Sequence, residues 1–167
     1  MLLFPLTLSS SGCPTAEQWF QIIAGLVPIV VQTVGSLQTA NGGLSASAEA
    51  TLVSFGKTAT TILDDVAADV KTAQSSTAVI SKLDAELSQL QTQAQALVPQ
   101  FTSNTKVLAW VNAILADVTD MVNLVPVIQG AASASAMSVS KQMTPQKFRK
   151  AKSLKGIFQE RLNSLPK

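Results

Sequence analysis

Histidine and tyrosine are absent from this chain of 167 residues, and cysteine occurs once. Without histidine there is no imidazole base, no imidazole metal ligand and no Ser-His or Cys-His nucleophile pair. A single cysteine excludes an intramolecular disulfide and a Cys-rich zinc site. Charged residues make up 13% of the chain, against roughly 25% in an average soluble domain. Neither GxxxxGK[ST] nor GxGxxG occurs, so the usual phosphate-cradling loops are missing. These absences predict a non-enzymatic protein with no cofactor and no bound metal.

What is present is apolar. Hydrophobic residues are 47% of a chain one domain long, and a domain of that size can bury about 70% of its unfolded surface. The pattern predicts four long helices. The first runs from about Thr15 to Thr39, opened by a capping box of Thr15 and Gln18 and stopped by Asn41-Gly42-Gly43. Trp19, Phe20, Ile23, Leu26, Val27, Val30, Val34 and Leu37 leave it almost no polar face. Such a helix sits centrally in a bundle or in a membrane. Trp19–Leu37 is long enough for a bilayer core of about 30 Å. Gln21, Gln32, Thr33, Ser36 and Pro28 favour the bundle.

The second helix spans about 47–74, with Leu52, Phe55, Ala59, Ile62, Val66 and Val70 in one stripe. The third spans about 77–98, where Ile80, Leu83, Leu87, Leu90, Ala94 and Leu97 form a heptad seam. A turn at Ser75-Ser76 separates the two in preference to one rod of roughly 75 Å. The fourth spans about 104–129 on Val107, Val111, Ile114, Val118, Met121, Val125 and Ile128. Leu-Val-Pro recurs at 26–28, 97–99 and 124–126, and proline cannot donate to a helix. Pro99 is expected to end the third helix, and Pro28 and Pro126 to kink theirs. Asp64, Asp65 and Asp69 on the second helix and Asp117 and Asp120 on the fourth read as solvated faces.

Residues 130–143, rich in alanine and serine, read as a linker, and 144–167 as a further helix begun by Thr144-Pro145. Charge divides the chain at this linker. Residues 1–140 carry nine acids and four lysines, net −5, and residues 141–167 carry eight basic residues and one glutamate, net +7. Phe148, Ala151, Leu154, Phe158, Leu162 and Leu165 give the last helix an apolar stripe. Lys147, Arg149, Lys150, Lys152, Lys155 and Arg161 crowd the rest of it. These six are the expected contacts to an anionic membrane surface or envelope component. With no DNA-reading motif and no interleaved aromatics, nucleic acid is not an expected partner. In the alternative, the stripe docks on the bundle and the lysines face water.

The expected fold class is all-α: an up-down four-helix bundle over 14–129 with an additional basic amphipathic helix at the C-terminal end. Ile23, Val30, Leu52, Phe55, Ile62, Leu83, Leu87, Leu90, Val111, Ile114, Val118 and Met121 are its expected core, and the last helix is expected to be separable from it.

Residues 1–13 carry an apolar run, Met1–Leu8, followed by Ser10-Ser11-Gly12-Cys13. This looks like the end of a bacterial lipoprotein signal, in which Cys13 is the lipid-modified residue. It departs from that pattern at Ser10, where leucine is favoured, and in having no Lys or Arg before the apolar run. The whole arrangement resembles small, uncharacterised helical bacterial lipoproteins. The resemblance implies a helical bundle anchored in a membrane through Cys13, at the cell envelope, and brings no activity. Pro14, in place of an aspartate after the cysteine, implies outer-membrane sorting, facing the periplasm or the exterior. The function expected is a lipid-anchored structural or interaction module. The alternative is a membrane-active or membrane-embedded protein, phage- or toxin-like, that uses the uncharged first helix and the basic tail.

Overall fold

The structure is a computed structural model and describes residues 15–39, 43–72, 77–133 and 145–166. Six α-helices fill it: α1 (Ala16–Thr39), α2 (Ala46–Thr72), α3 (Thr77–Leu97), α4 (Thr105–Val122), α5 (Val125–Ser133) and α6 (Pro145–Ser164). A 3₁₀ turn, Val98–Gln100, follows α3, and the described residues contain no strand. The protein is all-α. Cys13, the rest of the signal-like segment and most of the Ala/Ser linker lie outside the described residues.

Local chemistry starts and stops these helices. Thr15 N–H donates to Gln18 Oε1 at 3.0 Å and Gln18 N–H to Thr15 Oγ1 at 3.4 Å, closing the capping box of α1. Ser45 Oγ accepts from Ala48 N–H at 3.3 Å ahead of α2, and Asn104 Oδ1 from Val107 N–H at 3.0 Å ahead of α4. Gly43, at φ 85, takes the left-handed turn between α1 and α2 that a side chain would resist.

The core lies between α1, α2, α3 and α4 and extends under α5 and α6. All twelve expected core residues are buried in it. The six apolar residues of the α3 seam are its six buried residues. α1 packs against α2, α4, α5 and α6, and α3 against α2, α4 and α5. Beyond its first turn the exposed positions of α1, Gln21, Pro28, Gln32, Gly35 and Thr39, fall on one line at helical spacing. Pro28 sits on that line and the helix runs through it to Thr39. The buried Thr33 hydroxyl donates to Ile29 C=O at 2.8 Å, so its polarity costs the core little.

α2 and α3 fold back on each other. Lys82 Nζ stands 3.0 Å from Asp69 Oδ2 and 3.4 Å from Glu86 Oε1. On one continuous helix, residues 69 and 82 would be about 20 Å apart. Gly56 of α2 lies directly under the Gln38 side chain, where a Cβ would meet the amide nitrogen at 1.8 Å. Gln91 Nε2 of α3 donates to Thr119 Oγ1 of α4 at 2.9 Å.

Two expectations change at the end of the bundle. The fourth pattern is two helices, α4 and α5, broken at Asn123-Leu124. Pro126 has no N–H for the carbonyl four residues back, so the chain turns ahead of it and restarts with proline in the first turn of α5, where no donor is needed. Val125 and Ile128 still reach the core. The helix also continues through Gly130–Ser133, into the stretch expected to be linker.

Candidate functional site

The basic helix α6 lies against α1 and α4. Ala151, Phe158 and Leu162 are buried, and Phe148, Leu154 and Leu165 pack half-buried on the same core. The Phe148 ring meets Trp19 of α1 edge-on, with centroids 5.1 Å apart. At the far end Trp110 Nε1–H of α4 donates to Pro166 C=O at 3.1 Å. α6 therefore runs alongside α4 in the opposite direction. The apolar stripe is spent on docking, as the alternative reading of the sequence has it.

Of the six basic residues expected at a surface, Lys147, Arg149, Lys150, Lys152 and Lys155 are exposed. Lys152 Nζ stands 4.8 Å from the Phe148 ring centroid, a cation over the ring. Glu160 is the one acid on the helix.

Arg161 has a different role. Its guanidinium binds Asp117 through Nη1 and reaches Asp120 Oδ2 through Nη2 at 3.4 Å. Asp117 retains 1% of its exposure, which corrects its reading as a solvated carboxylate. The spacing carried the signal: Asp117 stands three residues after Ile114 and four before Met121, on the core side of α4. Trp110, also buried, extends the same line. Burial pushes the Asp117 carboxyl up to about 7, against the opposing pull of Arg161, and nearby Asp120 pushes it the same way as burial.

The other acids behave more plainly. Asp64 and Asp65 are exposed, and Asp69 is half-buried beside Lys82. Burial raises the Glu86 carboxyl above its ordinary value. Among the described residues no group of three or more His, Cys, Asp or Glu could hold a metal ion.

A cavity of about 320 Å³ opens where the start of α6 crosses the start of α1 and the α4–α5 turn. Trp19, Leu124, Val127 and Leu154 supply apolar wall, and Asn123, Asp120, Lys147 and Lys150 supply polar groups. The Trp19 indole N–H is buried and has no hydrogen-bond partner among the described residues.

Two stretches, Ala16–Thr39 and Thr105–Ala132, are long and apolar enough to cross a membrane, and half of each is buried within the protein. No family model, curated protein or solved structure matches the chain.

Proposed function

We propose that this chain is a non-enzymatic helical module of the cell envelope, anchored by a lipid on Cys13, that presents the outer face of α6 to an anionic surface. One observation carries the reading. α6 docks by its apolar stripe and leaves Lys147, Arg149, Lys150, Lys152 and Lys155 exposed along its first half. Each basic residue near an anionic membrane contributes about 1 kcal/mol. A face of this kind alone gives weak, reversible attachment, and stable attachment takes a second signal such as a lipid. The arrangement of α1 to α4 supports an up-down four-helix bundle as the body. Each packs on the next, and α1 closes on α4.

Vesicle binding by the full chain tests the reading. Binding to phosphatidylglycerol-containing vesicles, weakening as salt rises and lost in Arg149→Glu/Lys155→Glu, is the expected result. Equal binding to neutral phosphatidylcholine vesicles would overturn it. That outcome favours the second reading, membrane insertion, which draws on the two long apolar stretches. Membrane fractionation that is unchanged in Cys13→Ser would remove the anchor.

A further inference from the structure

The cavity between α1, the α4–α5 turn and α6 combines the features of a small-ligand site. It is concave, walled by Trp19, Leu124, Val127 and Leu154, and edged by a few polar groups. Lys147, Lys150, Asn123 and Asp120 lie at its edge, and Arg161 engages Asp120. Trp19 adds a buried indole N–H with no partner among the described residues. A buried donor left unpaired is destabilising, and the Trp19 ring that carries it forms part of the cavity wall. Apolar wall with surplus positive charge at the rim complements a molecule with a hydrocarbon part and one negative head.

We propose that this cavity binds a single-chain carboxylate amphiphile, with its hydrocarbon against Leu124, Val127 and Leu154 and its carboxylate at Lys147 and Lys150. At about 320 Å³ the space lies at the lower end of ligand sites, which selects a short or medium chain over a two-chain lipid. The site shares Lys147 and Lys150 with the basic face but stands apart from membrane binding. Arg149 and Lys155, the residues that test vesicle binding, do not line it.

The test uses decanoate below its micelle concentration, with decyltrimethylammonium and butyrate as controls, on the full chain. The chain has two tryptophans, so two indole N–H resonances report, assigned through Trp110→Phe. Decanoate should shift the Trp19 indole saturably with one molecule bound per chain. Decyltrimethylammonium, with the same tail and opposite charge, should not compete, and butyrate should bind at least tenfold more weakly. Lys147→Glu/Lys150→Glu alters exposed side chains only and should weaken decanoate at least tenfold. Ala151→Leu, which puts bulk into the cavity, should weaken it as well. No saturable shift, an equal shift with the cationic detergent, or unchanged affinity in the double lysine variant would each overturn the proposal. Because vesicle binding is scored on Arg149 and Lys155, either result stands if the other fails.

Discussion

Arg161 of α6 holds the buried carboxylate of Asp117 on α4, and this pair is the polar contact deepest in the seam between the last helix and the body. A carboxylate carried this far from water needs a partner or a proton. The ion pair therefore makes the docked position of α6 a condition for keeping Asp117 ionised.

Replacing Arg161 by methionine removes the partner and keeps the side-chain bulk. Breaking a buried pair on one side costs about 3–5 kcal/mol when the remaining charge stays buried. Asp117 can escape part of this by taking up a proton. Arg161→Met should therefore destabilise strongly at pH 8 and much less at pH 5, read as the midpoint of urea unfolding at each pH.

The parent protein should also respond to pH through Asp117. Its carboxyl titrates at about 7 in the folded chain, against 3.8 ordinarily. Between those values the folded state holds more protons than the unfolded chain. Stability is fully present below the lower value and is lost as pH rises through the upper one, with a slope of at most about 1.4 kcal/mol per unit. Glu86, raised by burial, adds in the same direction. In Asp117→Asn the slope between pH 4 and 7 should flatten, and an unchanged slope in chemical denaturation would assign it elsewhere.

Ile114 is fully buried at the centre of α4. Ile114→Asp should abolish cooperative unfolding because it buries an unpaired charge. Ile114→Val, which removes one methylene, should cost about 0.5–1.5 kcal/mol. Circular-dichroism melts distinguish the two, and an aspartate variant that melts like the parent would contradict the packing.

Removal of 141–167 was expected from the sequence to spare the body. The packing argues the reverse. Phe158 alone contributes about 1.5–3 kcal/mol through burial, and its loss comes with an exposed Trp19 and an orphaned Asp117. The truncated chain should lose stability and expose apolar surface, read as increased binding of a hydrophobic dye.

The repeating apolar seams were fully legible. Ile80 to Leu97 on α3 and Val107 to Ile128 along α4 and α5 are buried where the spacing puts them, because a helix converts period into a face. Thr15 and Gln18 were legible for a similar reason: capping is local chemistry. Asp117 was misread because residue type was weighed above position. Here the partner of the inward-facing carboxylate lies far along the chain, and nothing near residue 117 announces Arg161. At Pro126 the sequence points to a kink in one helix and the structure has a break at Asn123-Leu124, since proline disturbs the turn that precedes it. The cavity beside Trp19 was invisible, as it exists only where residues of α1, α4, α5 and α6 meet.

The edge-to-face contact of Trp19 with Phe148 joins the first described helix to the last. Contacts so distant along the chain close late, because the loop entropy between them must be overcome first. During synthesis α1 emerges before α6, and part of its apolar surface waits for α6 to cover it. A ribosome-bound chain lacking α6 is therefore expected to need a holdase, or a membrane surface, until α6 arrives.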